Sequence, residues 1–217
     1  MTRCLVFDLD GTLVDSVPDL AACLNRVLQA RAHAPLTLDE VAAMVGDGVA
    51  VLLQRGFAAR GTVPDGRAAD EFTADYEAHV ADATRPYPGI AGLLAAARAQ
   101  GWRMAVCTNK PEALARAVLR ATGLDGYFAA VGGGDSFPAR KPDPAHMLAT
   151  LAAAGATPAR ALMLGDHRND VLAAHGAGMR CIFAAWGYGQ PGAGADAAAI
   201  AETAAAVLPL AEALLPV

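Results

Sequence analysis

Only four of the 217 residues are cysteine, and Cys4, Cys23, Cys107 and Cys181 stand far apart with no CxxC pair. Such spacing argues against a disulfide framework or a zinc site and for buried free thiols in a reducing compartment. Basic clusters are missing as well. With a formal charge of -5, the chain is a poor candidate for a nucleic-acid surface. No stretch approaches the ~20 apolar residues that span a bilayer, and MTRCLVFDLD has no basic segment leading into an apolar one. The expectation is a cytoplasmic protein that binds neither nucleic acid nor membrane. Internal repeats are absent. The one compositional bias is alanine, which swells the hydrophobic share to 54% while favouring helix and burying little.

What is present alternates. Cys4–Phe7, Arg103–Cys107, Ala129–Val131, Ala161–Leu164 and Cys181–Ala184 are apolar runs of strand length. Between them lie helical stretches bounded by turn residues, such as Ile90–Gln100 closed by Gly101 and a segment opened by Pro111 and closed by Gly123. This order predicts a parallel sheet covered on both faces, an α/β fold. After Ser16 the alternation stops. Val17–Ala32 sets Leu20, Cys23, Leu24, Val27 and Leu28 at helical spacing, and Thr37 with Glu40 forms a capping box for a second helix. Two more helices are predicted over Val49–Ala59 and about Asp65–Ala83, and no strand between 17 and 83. Past the Gly-rich link at 187–194, an alanine-rich terminal helix is expected to be interrupted at Pro209. The chain therefore reads as two domains: a Rossmann-like core over 1–16 and 84–217, and an all-helical insert over 17–83.

Three strands end alike, with an apolar run followed by a polar side chain. They deliver Asp8 and Asp10, Thr108, and Asp166 with Asp170, while Lys141 comes from a loop. In a parallel sheet these groups meet at one edge, where ligands bind. Crowded carboxylates repel unless a cation lies between them or one holds a proton. Several carboxylates without cysteine or a histidine cage suit a hard cation such as Mg2+. A hydroxyl and an ammonium beside it suit a phosphoryl group. One carboxylate can attack phosphorus, and a second can donate and recover a proton.

With these motifs in place, the chain resembles the haloacid dehalogenase superfamily, and within it the phosphoglycolate phosphatases. DLDGTLVDS at 8–16, VCTNKP at 106–111, RKPDP at 140–144 and GDHRND at 165–170 occur in the family's order. The resemblance implies Asp8 as nucleophile and Asp10 as general acid and base. It implies Thr108 and Asn109 on the phosphoryl oxygens and Lys141 balancing charge. Mg2+ would be held by Asp8, the Asp10 backbone carbonyl and Asp166, with Asp170 ordering metal waters or Lys141. The insert matches the family's cap, which closes over the sheet edge and excludes water. Gly46, Asp47 and Arg55 match its substrate-facing segment, with Asp47 where the family often has Asn. The substrate implied is a small phosphorylated metabolite, 2-phosphoglycolate first, with sugar phosphates or pyrophosphate as alternatives; the assembly is a monomer or homodimer.

Other functions fit less well. A hydrolytic dehalogenase shares the fold but has no need of Asp10. A phosphomutase keeps both aspartates but carries a different cap pattern, and a receiver domain has no helical cap. A non-catalytic binding protein would not need every catalytic position filled. Gly132-Gly133-Gly134 lacks phosphate-loop spacing and reads as a turn. His33, His79, His146 and His175 are expected at the surface or half-buried, whereas His167, where the family often has serine, lies beside the metal residues. Trp102 and Trp186 read as packing residues.

Overall fold

A computed structural model describes residues 2–216. The apolar run at the start forms β1 (Cys4–Phe7), entirely buried, and the chain leaves it through a turn into a two-residue β2 (Val14–Asp15). Four helices follow: α1 (Val17–Gln29), α2 (Leu38–Ala42), α3 (Val49–Ala58) and α4 (Ala68–Ala78). A two-residue β3 (Arg85–Pro86) brings the chain back antiparallel to β2. The alternation then resumes with α5 (Ile90–Ala99), β4 (Arg103–Cys107), α6 (Glu112–Ala121) and β5 (Ala130–Gly132). The rest is α7 (Pro144–Ala153), β6 (Ala161–Gly165), α8 (Arg168–Gly176), β7 (Arg180–Ala184), β8 (Ala199–Ala201) and α9 (Ala204–Leu214).

Six strands pair in parallel in the order β5-β4-β1-β6-β7-β8. The α/β, Rossmann-like expectation holds. Chain order reverses between β1 and β6, and the crevice beyond strand ends at such a reversal is the usual ligand site. Because Phe7 sits beside both Val106 and Leu164, the residues just beyond β1, β4 and β6 emerge at one level. One core on this sheet contains Leu5, Phe7, Leu94, Val106, Leu162 and Val207. A separate core joins Leu24, Leu28, Leu53, Phe57, Phe72 and Tyr76 of the inserted helices. Each such fully buried side chain contributes about 1.5–3 kcal/mol over an exposed one.

Local rules explain most element ends. Thr37 and Glu40 form the predicted capping box. In α4, Ala68, Phe72 and Tyr76 recur every fourth residue and are the buried stripe of an otherwise polar helix. All four cysteines are free and buried.

Four details differ from the sequence expectation. α1 ends at Gln29 and α4 spans only Ala68–Ala78, both shorter than expected, because the backbone turns at 30–32 after the first and at 79–83 after the second. α9 runs unbroken through Pro209: its Val207, Leu208 and Ala211 are buried, and that packing outweighs the hydrogen bond proline removes. β8 is hidden among alanines, which carry no strand signal, yet Ala199–Ala201 pairs with Ile182–Ala184. His146 is fully buried, since its ring packs against Phe137 and its Nδ1 accepts from the Lys141 backbone at 3.2 Å.

Candidate active site

Asp8 lies one residue past β1, with its N–H donated to Leu164 at 2.9 Å and its Oδ1 accepting from the Leu9 N–H at 2.7 Å. Lys141 Nζ reaches Asp8 Oδ1 at 2.9 Å and Asp170 Oδ1 at 2.6 Å. Asp166 follows β6; its Oδ1 accepts from the Thr12 hydroxyl at 2.8 Å and its Oδ2 from the Tyr188 N–H at 2.8 Å. Oxygens of Asp8, Asp166 and Asp170 lie within 4.8 Å of one another, all buried. Gly11, at φ +86°, and Gly187 both press on Asp166, where any Cβ would overlap its carboxylate. Glycine is needed at both positions to seat it.

Electrostatics in this floor favour a cation. Burial raises the Asp8 carboxyl to about 6; Lys141 pulls it down, while Asp170 and Asp10 push it up. Asp166 is raised well above the usual carboxylate range by burial, then by Asp8 and Asp170. Burial lowers the proton affinity of Lys141, but Asp170 and Asp8 outweigh it and hold the ammonium charged. Three carboxylates thus face one ammonium, so one or more must be protonated unless a dication joins them. An all-oxygen donor set of this kind fits a hard divalent ion.

The Asp10 carboxylate is not part of that cluster. Its Oδ1 accepts from the Ser16 hydroxyl at 2.6 Å, and Lys110 Nζ sits 3.1 and 3.2 Å from its two oxygens. Both of its oxygens are thus engaged apart from the Asp8, Asp166 and Asp170 group. Ser16 is the N-cap of α1 but spends its side chain on Asp10. The Tyr188 hydroxyl accepts from the Ser16 and Val17 N–H groups in its stead, at 2.8 and 3.2 Å, and donates to Asp15 at 2.7 Å.

Thr108 projects from the end of β4. Its oxygen accepts from the Lys110 N–H at 3.2 Å, which leaves its O–H to donate. The side chain of Asn109 is engaged within the protein. Both hydrogens of its side-chain amide are used, on Gly46 O at 3.0 Å and Lys141 O at 2.9 Å, and its Oδ1 is a buried acceptor without a partner. No side-chain donor remains for a phosphoryl oxygen, so the residue ties the loop at 45–48 to the Lys141 loop.

That loop closes the cleft from above. Gly46 lies so near the His167 ring that a Cβ would stand 2.7 Å from it. Asp47 accepts from the Asn169 amide at 2.6 Å and pairs with Arg55 at 2.6 Å. Burial raises its carboxyl, but those two partners prevail and hold it below the ordinary range. Arg55 also donates to Met44 O at 2.9 Å, so its guanidinium serves the loop itself. His167 caps α8 by accepting from the Asn169 N–H at 3.2 Å, and Asp170 accepts from the His167 N–H at 2.9 Å. The sequence motifs single out neither Lys110 nor Tyr188. Lys110 stands inside the TNK motif, but nothing local marks Tyr188, which reaches 173 residues back to Asp15.

The chain matches the family model described as haloacid dehalogenase-like hydrolase over residues 2–178. It is 45% identical over 188 residues to a phosphoglycolate phosphatase of Cereibacter sphaeroides (strain ATCC 17029 / ATH 2.4.9), covering 85% of each chain. A predicted phosphoglycolate phosphatase from Haemophilus somnus 129PT has a solved structure similar to this one, with TM-score 0.90 and 32% identity over 96% of this chain and 97% of that one. CbbY from Rhodobacter sphaeroides, solved in complex with phosphate, aligns with TM-score 0.80 and 26% identity over 94% and 96%.

Proposed function

The chain belongs to the haloacid dehalogenase-like hydrolases and is a phosphoglycolate phosphatase-like phosphatase, and from that premise we propose that it hydrolyses 2-phosphoglycolate with Mg2+ through an aspartyl-phosphate. The observation that carries the reading is the buried floor, where Asp8 faces Lys141 at 2.9 Å inside the Asp8, Asp166 and Asp170 cluster. In this reading Asp8, the Asp10 carbonyl and Asp166 hold Mg2+, with Asp170 fixing Lys141. When bound, the ion neutralises phosphoryl charge and keeps Asp8 anionic.

An Asp8 oxygen attacks phosphorus, the bond to the leaving alcohol oxygen breaks, and Asp10 gives that oxygen a proton. Water then attacks the phosphorus of the aspartyl-phosphate, Asp10 takes its proton, and inorganic phosphate leaves with Asp8 restored. Lys141 balances charge on Asp8, and the Thr108 O–H donates to a phosphoryl oxygen. We assign residues 17–83 as a cap domain and 1–16 with 84–217 as the core, and place Gly46, Asp47 and Arg55 in the lid of the cleft. Separate hydrophobic cores and the β2–β3 ribbon between them support that division. Four buried free thiols suit a cytoplasmic protein, and we take it to act on a small phosphorylated metabolite as a monomer or homodimer; among the described residues no helix is long and apolar enough to cross a membrane.

The test is a panel of phosphomonoesters with purified protein and Mg2+. Turnover of 2-phosphoglycolate above sugar phosphates and pyrophosphate is expected. Turnover confined to the others would remove the glycolate assignment and leave the phosphatase.

A further inference from the structure

Lys110 is the residue of the cleft that the hydrolytic steps above leave without a task. Its side chain is only 3% exposed, and its ammonium sits against both Asp10 oxygens, at 3.1 and 3.2 Å. Tyr76, fully buried on α4 of the helical insert, accepts from the same nitrogen at 2.9 Å, with its ring centroid 4.4 Å away. An ammonium has three donors. Three acceptors, the two Asp10 oxygens and the Tyr76 hydroxyl, surround it, and because the two Asp10 contacts are nearly equal, one donor can turn from the carboxylate to a further acceptor. Lys110 lines the cleft together with Asp8 and Asp10.

The rest of the cleft wall sharpens this. Toward the insert it is apolar, with Leu20, Val49 and Leu52. Among the described residues lining it, Lys110 is the one with a positive charge. Arg55, the other cation expected to face substrate, is engaged by Asp47 and Met44. Lys141 is engaged beneath Asp8 and Asp170. Asp10 already pairs with this buried ammonium, so a second compact anion would share its charge when Asp10 takes up a proton, and a neutral isostere would gain nothing from it.

We propose that Lys110, held by Tyr76 of the insert, is the specificity residue that binds an anionic group on the alcohol portion of the phosphomonoester. The substrate class is then a phosphorylated short hydroxy acid, and its carboxylate is read next to Asp10, where the leaving oxygen takes its proton. Tyr76 acts on this contact through Lys110 and is a positioning residue. The proposal rests on the phosphatase reading above and deepens it.

The wild-type protein with Mg2+ is compared on 2-phosphoglycolate and on 2-hydroxyethyl phosphate, its neutral counterpart. The expected kcat/KM ratio favours the acid by about 100-fold or more. Lys110→Met should collapse that ratio by at least about tenfold, chiefly through KM for the acid. Tyr76→Phe, which keeps the ring and removes the hydroxyl, should lower the ratio about threefold, a loss of about one hydrogen bond. A wild type that turns over both esters equally overturns the Lys110 assignment and leaves the phosphatase standing; no turnover of any phosphomonoester removes the phosphatase reading itself. Equal losses on both esters in Lys110→Met also overturn the assignment, since they mean that Lys110 only orients Asp10. Because the wild-type ratio and Tyr76→Phe do not depend on the folding of Lys110→Met, the result stands if that variant is unstable.

Discussion

On the floor of the cleft Lys141 holds Asp8 and Asp170 directly, Asp166 lies beside them on Thr12 and Tyr188, and all four are almost wholly buried. Gly46, Asp47 and Arg55, on its roof, hold one another across a partly exposed loop and meet the floor through two amides, Asn109 and Asn169. The floor is over-determined, because Asp8 and Asp166 follow strands whose register is fixed by their neighbours and Asp170 sits in the capped first turn of α8. The roof depends on a few polar bridges, which are weaker holds than a buried sheet edge. Concentrated charge is therefore placed where the backbone cannot move, and only neutral bridges and a half-exposed ion pair where it can.

The largest break in that comparison comes from the floor. Asp8→Asn removes the attacking oxygen's charge while keeping its shape. Turnover of any phosphomonoester should fall by about a thousandfold or more, as measured by phosphate release at saturating Mg2+. A variant retaining turnover within tenfold of wild type would remove Asp8 as nucleophile.

A second effect separates floor from roof by pH. The Asp8 carboxyl is raised to about 6 in the folded protein, above its ordinary value near 3.8. In that interval the native state binds more protons than the unfolded one, so this site makes the metal-free protein less stable as pH rises through it. Asp166 moves in the same direction. A dication replaces those protons, so stabilisation by Mg2+ should be largest above about pH 6 and fade below it. At a hundredfold excess over Kd the gain is about 2.7 kcal/mol. Thermal unfolding with and without Mg2+ at pH 8 and pH 5 checks this, and an equal gain at both would contradict it. The Asp47 carboxyl on the roof is lowered, so its ionisation should leave the metal dependence unchanged.

The same division decides what was legible in sequence. DLDGT, TNK and GDHRND follow apolar runs of strand length, so the placement of Asp8, Thr108 and Asp166 at one sheet edge could be named before any coordinates. The α/β sheet was equally visible, because β1, β4, β6 and β7 are continuous apolar runs. β8 was not, since alanine signals no strand and only pairing with β7 makes it one. The roof was opaque for a different reason. Asp47 meets Asn169 across 122 residues and Tyr76 meets Lys110 across 34, and no local pattern encodes a partner that far away. Asn109 shows the limit most clearly: its motif was readable, but its amide is consumed by Gly46 and Lys141, which only the fold brings together.

The smallest expected effect sharpens the comparison most. Arg55 was expected to face substrate, yet its guanidinium pairs with Asp47 at 2.6 Å and is 42% exposed. An ion pair so open to water contributes at most about 1 kcal/mol. Arg55→Ala leaves Asp47 its bond to Asn169, so the loop at 45–48 should keep its place over His167. The melting temperature should drop by a few degrees at most, and KM for 2-phosphoglycolate should rise by less than about threefold. A KM increase of tenfold or more, with kcat held, would mean that Arg55 leaves Asp47 for the substrate when the cleft is filled. The roof would then carry specificity that the present geometry gives to Lys110, and the ratio of acid to neutral ester in the same variant would show which cation reads the carboxylate.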